Sequence, residues 1–297
     1  MTAMDLSHVA RREVFSAAWA RAAGLDSDAV ARAVVDGRAH PLLRGWYATR
    51  APLDDTDWNR LASRAAFLHF GGRAMVSHQS ALVWASLPVM YAGLRTVHLT
   101  RTVPGSSRRR RGLMLHRSVA GVPKGDRVPL AVAIVQSGLV AEPLTALIAA
   151  DAALHAEKVD GADLEEALDL LGGSRHITPV RAMLDHADGR IQSPGESIAG
   201  HRLRQLGWQV EPQFTVETDE GAVFADFRIV GTRVLVEVDG KVKYRGDDGP
   251  DALFREKRRE DAIRRKDWRL VRLVMAELDD LPLIEGRVNE QVAGAAA

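Results

Sequence analysis

The sequence predicts an α/β chain built from more than one domain, and three observations carry that reading. Residues 223–243, VFADFRIVGTRVLVEVDGKVK, alternate apolar and polar side chains on both sides of Gly231-Thr232, the period of a β-hairpin. Helical stretches with recognisable starts and stops alternate with short apolar runs along the rest of the chain. The length, 297 residues with 46% hydrophobic content, suffices for two or three packed domains. Compositional breaks divide the chain into residues 1–50, a mixed but mainly helical middle at 51–190, an α/β domain at 191–285, and a tail at 286–297 expected to be flexible.

Composition narrows the function classes. Forty basic and thirty-nine acidic residues give a net charge of +1, so a nucleic-acid surface would have to come from local clustering. The chain has no cysteine, which excludes disulfides, thiolate zinc sites and cysteine nucleophiles and fits a reducing cytoplasm. The N-terminus lacks an apolar core behind a basic start, so no signal peptide is read there. The most apolar stretch, residues 129–154, is interrupted by Gln136, Ser137, Glu142 and Pro143 and falls short of a membrane span. A soluble, cytoplasmic protein with no membrane partner is expected. No internal repeat and no glycine-rich phosphate loop occurs.

In the N-terminal segment, residues 12–23 read as a helix that breaks at Gly24. Asp26 or Ser27 then caps a second helix over residues 28–35. Two short helices about a tight turn describe a helix-turn-helix, and the hairpin over residues 40–48 would be its wing. Arg32, Arg38 and Arg44 are the candidate DNA-contacting side chains, by reach to phosphate or base edges. A plain helical packing unit is the competing reading. Further on, residues 58–70 and 77–86 read as helices, with His78 a structural hydrogen-bonder in the first turn of the second. Residues 96–100 and 112–116 read as strands. Between them Arg108 to Arg111 form a run that either steers phosphate or is simply solvated. Helices follow at 141–155, 161–171 and 178–186.

The C-terminal domain opens on Ser193-Pro194-Gly195-Glu196, with proline at the first helical position and a Ser-x-x-Glu capping box. That helix stops at Gly207. Strands follow from Trp208, and then the hairpin, whose turn suits type II′ with glycine at its first central position. Counting outward, Asp226 falls opposite Glu237. One face collects Ala225, Phe227, Ile229, Val234, Val236 and Val238, and the other Phe224, Asp226, Arg228, Leu235, Glu237 and Asp239. Opposed like charges with Cβ atoms about 4.5–5.5 Å apart destabilise a hairpin. A divalent cation would turn that liability into a ligand set, and a solvated acidic face partnered by Arg228 is the alternative. A very basic helix over residues 250–266 and a strand over 268–274 complete the order.

Two resemblances sharpen these expectations. The segments GLDSDAVARAVVDGRAHPLLRGWYATR and MVSHQSALVWASLP resemble the winged-helix half of AbiEi-type antitoxins of abortive-infection systems. That resemblance implies DNA binding, autorepression and a cognate toxin protein as partner. The pattern SPGES, ADF, VEVDG and EKRRED over residues 191–275 resembles the restriction-endonuclease-like PD-(D/E)XK superfamily, closest to the very-short-patch-repair (Vsr) group. It implies a central mixed sheet, Mg²⁺ or Mn²⁺ on Asp226 and Glu237, and Glu196 as an accessory acid or simply a capping carboxylate. The superfamily lysine two residues after the second ligand is here Asp239. Lys241, Lys243 or Lys257 would then supply the catalytic cation, or Asp239 would add a ligand. Arg255, Arg258 and Arg259 on the basic helix would bind phosphate. The expected activity is DNA phosphodiester hydrolysis in phage defence, toxin–antitoxin function or repair. The alternative is a non-catalytic, antitoxin-like repressor with a degenerate nuclease domain.

Overall fold

The computed structural model describes residues 6–239 and 249–295, and within them eleven α-helices and three sheets. They form two compact units, one of residues 1–150 with 158–186 and the other of 151–157 with 187–297. No helix among the described residues is long and apolar enough to cross a membrane.

The first unit opens on strand β1 (Val14–Ser16), then α1 (Ala17–Ala22), α2 (Ser27–Val35), β2 (His40–Leu43) and β3 (Trp46–Ala48). The helix expected from residue 12 starts later. Arg12 and Glu13 take left-handed backbone angles, φ 50° and 69°, which no helix accommodates, and Val14, Phe15 and Ser16 run as a buried strand paired with β3. Ser16 accepts a hydrogen bond from Trp19 N and starts α1, and Asp26 does the same for α2 through Ala29 N at 2.7 Å. Gly45, at φ 72°, turns the β2–β3 hairpin, and Phe15 stacks on Tyr47 at 5.4 Å.

The middle combines helices with a four-stranded sheet. After α3 (Asp55–Phe70) come β4 (Ala74–Val76), α4 (His78–Trp84), β5 (Val97–Arg101), β6 (Arg108–Arg110) and β7 (Leu113–His116), and the strands make a sheet ordered β4-β5-β7-β6. Three of the four arginines are themselves a strand, exposed along its length at the sheet edge, where charge discourages pairing with another chain. Helices α5 (Leu130–Val140), α6 (Pro143–His155), α7 (Gly161–Leu170) and α8 (Ile177–Leu184) follow.

The second unit is α9 (Pro194–Gln205), β8 (Val210–Thr218), β9 (Gly221–Ile229), β10 (Val234–Asp239), α10 (Gly249–Arg265), β11 (Arg269–Val274) and α11 (Leu281–Ala295). Its sheet is ordered β11-β10-β9-β8, antiparallel except for the parallel β10–β11 pair. Ser193 caps α9 as its sequence requires, accepting from Glu196 N. Gly200 lets α9 approach the sheet closely, since a Cβ there would sit 3.1 Å from the Phe227 ring. A Cβ at Gly195 would likewise sit 3.0 Å from Val238. The tail expected at 286–297 is instead mostly helix through residue 295, because Ile284 and Val288 are fully buried and Arg287 is ion-paired with Glu277 at 2.8 Å.

Candidate metal and nucleic-acid site

The β9–β10 ladder pairs Arg228 with Leu235 and Phe227 with Val236, and one further step sets Asp226 opposite Glu237. The hairpin register counted from the sequence is therefore the one adopted. The turn differs. Thr232 N donates to Ile229 O, and Gly231 carries φ +78° at the third turn position, where a type II turn requires glycine.

Phe227, Ile229, Val234 and Val236 are buried, and α9 approaches the sheet at Phe227 and Val238. Leu235 and Ala225 pack with Ile263 of α10, and Glu237, two residues after Leu235, reaches Arg259 of the same helix. Beyond the last paired residues the Asp226 carboxylate takes over from the backbone: its Oδ2 accepts from Val238 N at 2.7 Å. That bond holds Asp226 against β10, beside Glu237.

Glu237 is only 6% exposed, and a buried carboxylate needs compensation. Arg259 of α10 supplies it through a charge-assisted bond to Oε1, while the same guanidinium donates to Phe224 O at 2.6 Å. Arg272, the register partner of Glu237 on β11, lies 3.8 Å from Oε2 and 3.6 Å from Glu260. Arg228 does not serve the acidic face; it pairs with Glu211 at 2.8 Å and lies over the Phe214 ring.

The remaining expected residues are dispersed. Glu196 is buried on α9, where its Oε2 accepts from Gln192 N and Gln213 Nε2, each at 3.0 Å. Its observed contacts are structural, and it does not complete a carboxylate trio with Asp226 and Glu237. Asp239 ends β10 half-buried and Lys257 is exposed. Lys241 and Lys243 lie outside the described residues, as does the side chain of Arg255. Arg258 is exposed and pairs with Glu220 at 3.1 Å, one of several contacts by which the β8–β9 turn neutralises α10 (Arg265 to Glu220 at 2.9 Å, Lys266 to Asp219 at 2.6 Å). In the first unit Arg32, Arg38 and Arg44 are all exposed, Arg44 in the β2–β3 turn and Arg38 paired with Asp36 at 2.8 Å.

One constellation escaped the sequence reading. His78, His98 and His116 converge inside the first unit with ligand nitrogens all within 4.8 Å of one another, the sole such group of histidine, aspartate or glutamate among the described residues. Their only signal in sequence is a histidine at one helix start and one in each of two strands, TVHLT and LMLHR. Nothing in that spacing announces a cluster.

No family model matches the chain. It is similar to two proteins of Mycobacterium tuberculosis, Uncharacterized protein MT2308 of strain CDC 1551 / Oshkosh and Uncharacterized protein Rv2248 of strain ATCC 25618 / H37Rv. Each is 28% identical over 259 residues, spanning 85% of this chain and 91% of the relative.

Proposed function

We propose that this protein is a DNA-binding, metal-dependent endonuclease, with Asp226 and Glu237 as the residues that would hold a hard dication. The observation that carries the reading is that Asp226, one step beyond the paired Phe227 and Val236, binds β10 at Val238 N next to Glu237, which Arg259 and Arg272 flank. The donor set fits Mg²⁺ or Mn²⁺, which take one or two carboxylates and complete their shell with water and substrate phosphate. When bound, the ion supplies Lewis acidity and activates water at neutral pH. The topology agrees with the superfamily resemblance: a helix, an antiparallel three-strand meander, a helix, and a parallel strand.

The chain's own groups have definable parts in such a reaction. Arg259 and Arg272 flank Glu237, and both would share their charge with an incoming phosphate. Lys257, exposed one turn or less from Arg259, is the described lysine best placed by sequence to contact phosphate. In the first unit, α1, α2 and the β2–β3 hairpin give the order of a winged helix, with Arg32 and Arg44 exposed for backbone contacts.

A second reading has its own support. Glu237 is already compensated by two arginines, and Asp239 stands where the superfamily places lysine, so a non-catalytic, DNA-binding repressor with a nuclease-like domain is the rival. Incubation with supercoiled plasmid and Mg²⁺ or Mn²⁺ separates the two. Nicking that Asp226→Asn removes supports the enzyme; a footprint on the protein's own promoter without any nicking supports the repressor.

A further inference from the structure

The three histidines in the first unit come from three elements. His98 and His116 lie on the same face of adjacent parallel strands, since Thr100 of β5, two residues after His98, is the register partner of His116. His78 is brought over them by α4, which is tied to β5 through Ser77 N to His98 O at 3.0 Å and His98 N to Ser80 Oγ at 3.0 Å. The ring of His78 stacks on that of His116 at 3.8 Å, and His98 Nδ1 lies 2.9 Å from His116 Nε2. His78 itself holds a left-handed backbone, φ +53°, at the start of its helix. A non-glycine residue kept in that region needs its surroundings to enforce it, and such positions gather at functional sites.

Two of the three imidazoles have an outer partner that fixes their orientation. The Nδ1 of His78 lies 2.9 Å from Ser77 Oγ, so a proton donated there leaves Nε2 with its lone pair. The Gln79 amide lies 3.0 Å from His98 Nε2, and its Oε1 is buried without a partner. Turned over, that amide accepts the Nε2 proton and leaves the lone pair of His98 on Nδ1, the atom that faces His116. Outer partners that fix the tautomer in this way are the usual support of metal-ligating histidines. Thr100, beside the cluster, also carries a buried hydroxyl without a partner. His78 and His98 are buried and His116 is half-buried, so the cluster is shielded from bulk water. A cavity of about 370 Å³, lined by His98, His116, Gln79, Tyr91 and Arg109, leads to the cluster.

We propose that His78, His98 and His116 form a binding site for a transition-metal dication, Zn²⁺ foremost, with three imidazole nitrogens as ligands and a fourth position open to the cavity. Imidazole suits zinc and its neighbours and not Mg²⁺, so this site and the carboxylate pair take different ions. An open fourth position marks zinc sites that receive water or an anionic ligand, and Arg109 at the cavity favours an anion there.

The test uses the full chain, purified without a histidine tag and stripped with chelator, then titrated with Zn²⁺ and Co²⁺ by calorimetry and absorption. One saturable site is expected, with an intense visible Co²⁺ band and a zinc-dependent rise in Tm. His116→Gln is expected to weaken zinc binding about 100-fold or more, and Gln79→Leu about 10–100-fold, as for a lost outer partner. The Asp226→Asn, Glu237→Gln double variant is expected to bind zinc as the wild type does. Circular dichroism checks that the histidine variant is folded. If it is not, X-ray absorption of the zinc-loaded wild type decides, by showing or failing to show a nitrogen-dominated shell with imidazole scattering. No saturable binding by the stripped wild type, unchanged affinity in folded His116→Gln, or a shell dominated by oxygen overturns the proposal.

Discussion

Glu237 in the second unit is buried against two arginines, whereas burial in the first holds His78, His98 and His116 well below the usual imidazole range, with no carboxylate paired to them among the described residues. On the carboxylate side Asp226 bonds Val238 N at the end of the ladder, and Arg259 and Arg272 balance Glu237. On the imidazole side three rings meet beneath a helix start, with Ser77 and Gln79 beside them and a cavity leading to them. Burial raises the cost of the charged form in both places. The carboxylate meets that cost with ion pairs and the histidines avoid it by staying uncharged.

The largest effect that would sharpen this contrast is catalytic. Glu237→Gln is expected to lower the rate of plasmid nicking about 10²–10³-fold, the scale for one lost electrostatic contact in a transition state, without altering zinc binding in the first unit. Rate against Mg²⁺ concentration reads the first half and zinc calorimetry the second.

A stability effect comes next, at a third buried acid. Asp151 is 2% exposed, and burial raises its carboxyl to about 6, although Asp188 N and Ser197 bond to it. A folded-state value above the unfolded one makes the group's contribution fully present below the unfolded value of 3.8 and lost as pH rises through about 6. Asp151→Asn keeps an oxygen acceptor for Asp188 N and removes that titration. The stability of the variant relative to wild type is expected to increase by about 2 kcal/mol between pH 4 and pH 8, read from urea curves. A difference that stays flat with pH would show that Asp151 is ionised in both states alike.

Arg259→Ala probes the compensation of Glu237 directly. With Arg272 still in place, a loss of about 1–2 kcal/mol is expected in metal-free buffer, and Mg²⁺ is expected to raise the Tm of this variant more than that of wild type. An equal Mg²⁺ response in both proteins would mean that ion and guanidinium do not compete. The smallest effect lies at the β2–β3 turn. Arg44→Ala is expected to weaken DNA binding uniformly across sequences and to reduce the salt slope of log K by about 0.9, measured by anisotropy at several salt concentrations.

Much of the second unit was legible in the sequence because its signals are local. The pairing of Phe227 with Val236 matches the register counted outward from Gly231-Thr232, and Ser193 with Pro194 marks the start of α9 within one residue. What failed was long-range or rested on one backbone angle. Gly231 serves a type II turn one position earlier than counted, and the left-handed Arg12 and Glu13 replace a helical turn with strand β1. Glu196 has the residue type and spacing of an accessory acid, and its carboxylate accepts from Gln192 N and Gln213 Nε2. His78 looked solitary because its partners lie 20 and 38 positions on, brought to it by a parallel strand pair that no local motif encodes.

The central claim is that Asp226 and Glu237 together hold a hard dication. A calorimetric Mg²⁺ titration of wild type and Glu237→Ala tests it most directly, since imidazole competes poorly for that ion. Saturable Mg²⁺ binding by the wild type that disappears in the variant is the expected result. Equal binding by the two proteins, or none by either in the presence of DNA, would contradict it.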